Sequence, residues 1–337
     1  MIGSANGTRI GITGLGVNVP DRVVTNDDLA QYVDTSDEWI MERTGIRERR
    51  MATEDEALTD IALPAARAAL ADAGVDASEI DLLICATVTP DMMSPTSSAL
   101  MADELGMPQA AAYDLLAGCT GFMYAIAQAY GMLAAGLSRR ALVVGGDVLS
   151  KILDWDDRST LVLFGDGAGA VVLEPVSHGG FLGFELGADG GGGVHLQYPG
   201  SGSRTFENPE SMLKMNGREV FRFATRVLVS SAEAVLAECG KTIADVDVYV
   251  PHQANRRIID HAVGKLGVPP ERTVVNVERF GNTSSGSIPL ALADARSDGR
   301  LHDGALVLMT GMGAGLTWGS ALLEWTGTSA SGESASE

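Results

Sequence analysis

The sequence has few cysteines and few positive charges, and both shortages exclude classes of protein. Its 337 residues include three cysteines, and an odd number in a long chain predicts a reducing compartment without a disulfide framework. Asp and Glu number 44 against 24 Lys and Arg, so the formal net charge is −20. Because this charge would repel a phosphate backbone, nucleic acid is not an expected partner.

Signals of membrane insertion, cofactor binding and serine hydrolysis are also missing. No run of 18 or more apolar residues occurs, and the N-terminus lacks the pattern of a secretory signal, so no membrane span and a cytoplasmic location are expected. No spaced Cys/His cluster predicts a metal site. Residues 11–16 have the wrong glycine order for a dinucleotide fingerprint, and neither a P-loop nor a Gly-x-Ser-x-Gly elbow occurs.

What the sequence does contain is a duplication. Residues 70–81 begin Leu-Ala-Asp-Ala-Gly and end Glu-Ile-Asp, and residues 236–247 begin Leu-Ala-Glu-Cys-Gly and end Asp-Val-Asp, an offset of 166. Further on, Gly-Cys119 before an apolar helix matches Gly-Asn282 before another. We therefore interpret Cys119 and Asn282 as equivalent positions of two half-molecules. We expect them to converge with His252, which follows the second copy of the duplicated strand.

The alternation of strand-like and helical patterns predicts a layered α/β fold. Examples are the helix around residues 58–73 and the strand at 161–174. With 45% hydrophobic residues the chain can bury a large core, and the duplication favours two similar halves packed face to face. We expect a first half at residues 1–175, a second half at 176–326, and a disordered, small and polar tail at 327–337.

Three residues are candidates for chemistry, and each also has an ordinary structural interpretation. Cys119 follows a glycine turn at the start of an apolar helix, whose N-terminus would lower the thiol pKa; a lone Cys is otherwise a small buried hydrophobe. His252 leaves the carboxyl end of a buried strand, where α/β folds place their sites, or serves the structure. Asn282 either donates to a substrate or caps a helix.

Taken together, the three residues indicate thioester chemistry. A Cys nucleophile with a His and an amide, but without a third carboxylate, is typical of a site that must stabilise an oxyanion. His252 and Asn282 would both donate hydrogen bonds to one carbonyl oxygen. The backbone N–H of Gly313 could pair with that of Cys119 as a second oxyanion hole, although the glycine run around Gly313 also fits a plain tight turn.

At this point the sequence resembles the β-ketoacyl-acyl-carrier-protein synthase III family of thiolase-fold condensing enzymes. The resemblance covers about residues 8–325. It rests on six ordered motifs: Thr35-Ser-Asp-Glu-Trp-Ile40 with Arg43-Thr-Gly-Ile-Arg47, Gly118-Cys-Thr-Gly-Phe122, Phe164-Gly-Asp-Gly-Ala-Gly-Ala170, Pro251-His-Gln-Ala-Asn255, Gly281-Asn-Thr-Ser284, and Gly315-Leu-Thr-Trp-Gly-Ser320.

The resemblance implies a homodimeric, five-layered α/β/α/β/α sandwich that performs a decarboxylative Claisen condensation between an acyl-CoA primer and malonyl-acyl-carrier protein. The CoA thioester is then a substrate, and no cofactor is needed. Cys119 would carry the acyl group, His252 and Asn282 would bind the malonyl thioester, and Cys119 and Gly313 would form the oxyanion hole. The implied CoA-binding residues are Trp39, Arg43, Arg158, Arg218 and Asn255.

Arg257, His261 and Lys265 are spaced four apart on one helical face, which is either a local basic patch or an ordinary solvated helix face. The resemblance implies a docking patch for the acidic carrier protein at Arg222, Arg257 and Lys265. Ser94 and Phe221 are the implied acyl-pocket residues. Because Ser94 stands where many members have a Phe, we predict primers longer or more branched than acetyl. A starter enzyme or acyltransferase of a secondary-metabolite pathway, and a non-catalytic acyl-CoA-binding protein, are alternatives. A thiolase is disfavoured, since Met312 stands in place of its second Cys.

Overall fold

The computed structural model describes residues 7–200, 202–203 and 212–326. The predicted tail at 327–337 lies outside the described residues. The strands are β1 (Arg9–Asn18), β2 (Val23–Thr25), β3 (Glu48–Arg50), β4 (Leu82–Ala86), β5 (Ala111–Leu115), β6 (Ala141–Asp147), β7 (Gly167–Val176), β8 (Gly180–Ala188), β9 (Leu196–Gln197), β10 (Lys214–Met215), β11 (Val248–Pro251), β12 (Leu306–Gly313) and β13 (Thr317–Glu324).

The helices alternate with these strands, as the sequence pattern predicts. They are α1 (Asn26–Leu29), α2 (Asp37–Thr44), α3 (Leu58–Ala73), α4 (Ser97–Leu105), α5 (Gly121–Ala134), α6 (Arg158–Leu161), α7 (Gly217–Glu238), α8 (Arg256–Leu266), α9 (Val277–Phe280) and α10 (Ser287–Ser297). One strand prediction is wrong at its start: residue 161 ends the short helix α6, and β7 begins only at Gly167. Among the described residues no helix is long and apolar enough to span a bilayer.

The first large sheet has the strand order β1-β7-β6-β4-β5. Strand β4 pairs in parallel with both β5 and β6, whereas β7 runs antiparallel to β6 and β1. Every residue of β4 and β6 is buried, as expected for strands covered by helices on both faces. Strand β5 lies at the edge of the sheet.

The second large sheet repeats part of this arrangement with the order β11-β12-β13-β8. Strands β11 and β12 are parallel, and β13 is antiparallel to β12 and β8. In place of a fifth strand, β11 makes a single bridge between Tyr249 and Thr273. The first sheet ends at Val176 and the second begins at Gly180; the proposed boundaries at 175 and 326 themselves stay a prediction.

Helices cover both sheets and separate them. Helices α3 and α4 pack on the outer face of the first sheet, and α7 packs on the outer face of the second with α8 beside it. Helices α5 and α10 lie between the sheets and contact strands of both. The apolar side chains of α5, such as Phe122, Met123 and Ile126, are buried because both flanks of this helix face a sheet. The resulting order is α/β/α/β/α, as predicted.

Candidate active site

Cys119 lies in the 3-10 turn Gly118–Thr120, between the edge strand β5 and the central helix α5. Gly118 adopts φ 58°, in the left-handed region that favours glycine. A Cβ at Gly118 would stand 2.6 Å from the backbone nitrogen of Ala314, so the turn also packs too tightly for any side chain there. The glycine therefore fixes where the sulfur of Cys119 points.

The predicted lowering of the Cys119 pKa is wrong for the free protein. Burial raises the pKa of this thiol to about 12. Helix α5 begins at Gly121, two residues after Cys119, so the residue precedes the helix instead of lying in its first turn. At neutral pH the thiol is protonated.

His252 follows β11 and is 1% exposed. Its Nδ1 lies 2.6 Å from the Ser287 hydroxyl, which also accepts the backbone N–H of Gln253 at 3.4 Å. The Ser287 hydroxyl can donate its proton to Nδ1, and in that tautomer the imidazole proton lies on Nε2. Nε2 is buried and has no hydrogen-bond partner within the described part of the chain. Burial lowers the pKa of His252 to about 3, so the ring is neutral.

Asn282 is held at both its backbone and its side chain. Its N–H donates to the Leu163 carbonyl at 2.9 Å, and its own carbonyl accepts the N–H of Gly165 at 3.0 Å. Its Oδ1 accepts the N–H of Ser284 at 2.9 Å, which leaves the Nδ2 hydrogens to donate elsewhere. The helix-cap interpretation is wrong, since α10 begins only at Ser287.

Cys119, His252 and Asn282 line one cavity of about 120 Å³, together with Gly313 and Phe221. A larger cavity of about 840 Å³ is also lined by Cys119. Cys119 is thus the point where a narrow and a wide cavity meet. This geometry suits a group that receives an acyl chain in one cavity and faces a second thioester in the other.

Gly313 ends β12 directly against the backbone of Cys119. A Cβ at Gly313 would stand 2.5 Å from the Cys119 nitrogen and 2.9 Å from the Thr120 nitrogen. The missing side chain leaves the space beside the Cys119 N–H open to an oxyanion, as the predicted second oxyanion hole requires.

The pairing of Cys119 with Asn282 as equivalent positions is wrong. The two central helices are preceded by similar 3-10 turns, and each turn begins with a left-handed residue, Gly118 with φ 58° and Ser284 with φ 52°. Ser284 follows Gly118 by 166 residues, which is the offset of the duplication. The counterpart of Cys119 is therefore Ser285, and Asn282 lies three residues ahead of it.

The residues predicted to bind CoA gather beside the narrow cavity, with one exception. The guanidinium carbons of Arg43 and Arg158 each lie 4.7 Å from the centre of the Trp39 ring. The adenine base of CoA can enter between Trp39 and Arg158 only if these two side chains separate, because they are already in contact. Asn255 lines the cavity, caps α8 by accepting the Arg257 N–H at 2.8 Å, and donates to the Arg43 carbonyl at 3.1 Å.

Arg218 is the exception among the predicted CoA ligands. It is exposed in the first turn of α7 and lines neither of the two cavities. The first turn of α7 reaches the narrow cavity instead through Gly217 and Val220. The contact of Arg218 with CoA stays a prediction.

The predicted docking residues lie on the neighbouring helices α7 and α8. Arg222, Arg257 and Lys265 are all exposed. Arg222 forms an ion pair with Glu219, and the Arg257 guanidinium lies 5.6 Å from the Phe221 ring at the mouth of the narrow cavity. Sequence reasoning missed Arg226 and Arg256, which are exposed on the same two helices; the four-residue spacing of Arg218, Arg222 and Arg226 was the available signal.

The two predicted acyl-pocket residues are placed differently. Phe221 lines the narrow cavity with Cys119. Ser94 is exposed and lines neither cavity of the single chain, whereas its neighbours Met92 and Met93 line the wide one. A role for Ser94 thus depends on an assembly with a second copy and stays a prediction.

Sequence reasoning missed three polar residues that hold the site. Ser287 orients His252, and Ser284 lines the wide cavity together with Cys119. Asp147 is a fully buried carboxylate at the end of β6 that binds the Ser285 N–H at 3.3 Å. No spacing rule signalled these residues. The contact of Asp147, for example, joins segments more than 130 residues apart. Among the described residues no group of three or more potential ligands could hold a metal ion.

Two duplicated α/β halves with a Cys, a His and an Asn at their junction define a thiolase-fold condensing enzyme. The family model for 3-oxoacyl-[acyl-carrier-protein] synthase III matches residues 113–190. The model for the C-terminal part of the same family matches residues 236–325. The β-ketoacyl-[acyl-carrier-protein] synthase III of Symbiobacterium thermophilum is 54% identical over 94% of this chain and 98% of its own length.

Solved structures agree with the sequence comparison. The crystal structure of β-ketoacyl-[acyl carrier protein] synthase III from Thermus thermophilus has a TM-score of 0.90 at 50% identity, covering 94% of this chain and 99% of its own. The priming β-ketosynthase of the R1128 polyketide pathway has a TM-score of 0.90 at 40% identity, covering 95% and 97%. The chain belongs to the β-ketoacyl-acyl-carrier-protein synthase III family, condensing acyltransferases that initiate fatty acid synthesis.

Proposed function

We propose that this enzyme condenses an acyl-CoA primer with malonyl-acyl-carrier protein to give 3-oxoacyl-acyl-carrier protein, CoA and CO2. The observation that carries the proposal is the meeting of Cys119, His252 and Asn282 in one cavity of about 120 Å³. The wide cavity of about 840 Å³, which Cys119 also lines, gives the primer chain a place separate from the narrow cavity. Two half-reactions can then use one sulfur in turn.

In the first half-reaction the Cys119 sulfur attacks the acyl-CoA carbonyl. The N–H groups of Cys119 and Gly313 hold the oxyanion, in the space that Gly313 leaves open. Trp39, Arg43, Arg158 and Asn255 bind the CoA portion, and the pantetheine chain enters through the narrow cavity. CoA leaves, and the acyl group remains on Cys119 as a thioester.

In the second half-reaction the malonyl thioester carbonyl accepts hydrogen bonds from His252 Nε2 and Asn282 Nδ2. Two neutral donors suit this task, because the lowered pKa of His252 keeps its ring uncharged while the Ser287 contact keeps a proton on Nε2. The donors stabilise the enolate that forms as CO2 leaves. The enolate carbon then attacks the acyl carbonyl on Cys119, and the thiolate departs.

The carrier protein docks on the exposed basic residues of α7 and α8, including Arg222, Arg257 and Lys265. On an enzyme with a net charge of −20, a local basic surface beside the cavity mouth is what an acidic partner requires. This docking would position the malonyl group to enter past Phe221 and Arg257.

The enzyme works as a cytoplasmic homodimer. Strand β5 is an open edge of the first sheet. Leu116, directly after it, is 78% exposed, and Met93, beside the wide cavity, is 73% exposed. An unpaired edge next to exposed apolar side chains favours pairing with a second copy, which would also cover the wide cavity near Ser94. Sedimentation analysis of the wild type and of Leu116→Asp tests this, and a monomeric wild type would contradict it.

A priming role in polyketide synthesis is the second candidate. It is favoured by the wide cavity and by the 40% identity to the R1128 priming enzyme. Comparing turnover of acetyl-, isobutyryl- and octanoyl-CoA shows whether the wide cavity accepts long or branched primers or only acetyl. Strict acetyl preference would remove the support for long or branched primers.

Incubation with labelled acyl-CoA, followed by mass spectrometry of the Cys119 peptide, tests the overall reaction. We expect the label on Cys119, and CO2 release when malonyl-carrier protein is then added. Acylation without later CO2 release would indicate an acyltransferase, and no acylation with any primer would refute the proposed reaction.

A further inference from the structure

Arg49, at the centre of β3, is a fully buried cation whose hydrogen bonds go to neutral oxygens. Its guanidinium donates to the Val24 carbonyl at 3.3 Å, to Asn26 Oδ1 at 2.8 Å and to the Val162 carbonyl at 2.8 Å. Its Nε has no hydrogen-bond partner in the described part of the chain. Burying a charge without a carboxylate beside it costs stability, so the fold alone does not explain this residue.

One of these hydrogen bonds holds the segment to which Asn282 is bound. Arg49 Nη2 donates to the carbonyl of Val162. The next residue along the chain, Leu163, accepts the Asn282 N–H at 2.9 Å, and Gly165 donates its N–H to the Asn282 carbonyl at 3.0 Å. Arg49 therefore anchors one end of a short segment, and the backbone of Asn282 is hydrogen-bonded to the rest of it.

The side chain of Arg49 also packs against the glycines on both sides of this arrangement. A Cβ at Gly165 would stand 2.9 Å from the Arg49 Cβ, and a Cβ at Gly281 would stand 3.3 Å from the same atom. Gly281 directly precedes Asn282 and adopts φ 64°, in the left-handed region. Packing and hydrogen bonding by one side chain thus fix the backbone that sets the direction of the Asn282 carboxamide.

The other end of the guanidinium is tied to helix α2, which bears Trp39 and Arg43. Arg49 Nη1 donates to Asn26 Oδ1, and Asn26 Nδ2 donates to Asp37 Oδ1 at 2.8 Å. Asp37 is the first residue of α2. The Asn26 amide therefore bridges the guanidinium and a carboxylate, and because the guanidinium is planar, this contact and the one to the Val162 carbonyl fix its orientation.

We propose that Arg49 is a positioning residue for Asn282 in the condensation step. The proposal rests on the function proposed above, in which Asn282 Nδ2 donates to the malonyl thioester carbonyl. Arg49 lines neither cavity, so it acts only through the backbone that it holds. A donor that is misplaced by about 1 Å can cost about 100-fold in rate, so this support matters for the reaction and not only for the fold.

Arg49→Met removes the donors and keeps most of the buried volume. We expect CO2 release by the acylated enzyme to slow about 10-fold or more, and acylation at saturating acyl-CoA to slow less than about threefold. Acylation is spared because Arg49 forms no hydrogen bond with Cys119 or Gly313. Arg49→Lys should lie between, since one ammonium group cannot span Asn26 and Val162 as the guanidinium fork does. Rapid-quench measurement gives both rates.

A double-mutant cycle with Asn282→Ala separates positioning from a general loss of structure. Because Arg49 acts through Asn282, adding Arg49→Met to Asn282→Ala should slow CO2 release by less than about twofold further. Losses that multiply fully in the double variant would overturn the proposal. So would an equal loss of acylation and CO2 release in Arg49→Met alone, or wild-type rates of both steps.

Arg272 supplies the matched control, because it also ties distant backbone together and lines neither cavity. Its Nη1 donates to the carbonyls of Ala244 at 3.2 Å and Val246 at 2.8 Å. Arg272→Met should leave the ratio of the two half-reaction rates unchanged, and a change as large as that in Arg49→Met would overturn the proposal. If Arg49→Met does not fold, Arg49→Lys decides: a selective loss of CO2 release supports positioning, and a wild-type ratio overturns it. A wild type that releases no CO2 from malonyl-carrier protein would instead refute the proposed reaction.

Discussion

The turn before α5 and the turn before α10 have the same backbone conformation, but they differ in what lies beside the backbone nitrogen of the second residue. Gly118 and Ser284 share the left-handed conformation, and Cys119 and Ser285 follow them. Beside the Cys119 nitrogen, Gly313 leaves a space. Beside the Ser285 nitrogen, the equivalent strand end is that of β6, which carries Asp147. The Asp147 carboxylate lies 3.3 Å from the Ser285 nitrogen, so the second turn holds an internal anion in place of a substrate oxyanion.

This difference shows how a duplicated fold can yield one reaction centre instead of two. The turn at Cys119, the open turn, binds an anion that forms transiently. The turn at Ser285, the filled turn, holds a permanent anion. The filled turn also ties the halves together, since the Ser285 hydroxyl donates to the Gly118 carbonyl at 3.1 Å. Each half thus positions the other, and the chemistry is confined to the turn with the gap.

The largest effect is expected from Cys119→Ser, which gives both turns a serine. An alcohol in this site has no base strong enough to ionise it, so acylation should fall by roughly 1000-fold or more. Labelling by acyl-CoA and mass spectrometry measures the loss. Cys239→Ser, at the end of α7 and away from both cavities, is the control and should acylate normally.

Gly313→Ala should be next in size, because it closes the gap that distinguishes the two turns. The added Cβ would lie 2.5 Å from the Cys119 nitrogen, so the backbone must shift and the oxyanion hole is lost. We expect acylation to slow roughly 100- to 1000-fold. Gly131→Ala in α5, where a Cβ meets nothing within 4 Å, should keep full activity. Normal acylation by Gly313→Ala would show that the gap is not the oxyanion site.

His252→Ala and Asn282→Ala should separate the half-reactions. Each removes one donor to the malonyl carbonyl, so CO2 release should fall about 100-fold. Acylation should fall far less, since the Cys119 turn is intact. Rapid-quench measurement of both steps checks this, and an equal loss of both steps in Cys119→Ser, His252→Ala and Asn282→Ala would contradict the division of roles.

Sequence reasoning reached the layers, the duplication and the three side chains, because these follow from local periodicity and short motifs. The left-handed turns show why it paired Cys119 with Asn282: the Gly-x pattern at Gly281 looks like that at Gly118, whereas the conformational match is at Ser284. The thiol pKa was mispredicted for a related reason. A helix N-terminus is visible in a sequence, but the burial that raises the thiol pKa arises only when two sheets close around the site.

The raised pKa of Cys119 makes a prediction of its own about the open turn. With a pKa of about 12, the thiolate fraction grows about tenfold for each pH unit between 7 and 10. The rate of iodoacetamide alkylation of Cys119 should rise in proportion, measured by mass spectrometry in a Cys239→Ser background. Cys85 is fully buried and should not react. A rate that levels off near pH 8 would show that the thiol is ionised more easily than its burial implies.

Ser285→Ala should have the smallest effect, and it tests whether the filled turn is purely structural. The change removes the hydrogen bond to the Gly118 carbonyl and leaves the Asp147 contact to the backbone N–H in place. One buried hydrogen bond contributes roughly 1 kcal/mol to the free energy of unfolding, which denaturant titration can resolve. The ratio of acylation to CO2 release should not change, because Ser285 faces the partner turn and lines neither cavity. A change in that ratio would mean that the filled turn takes part in the reaction, and the division between an open and a filled turn would then be too simple.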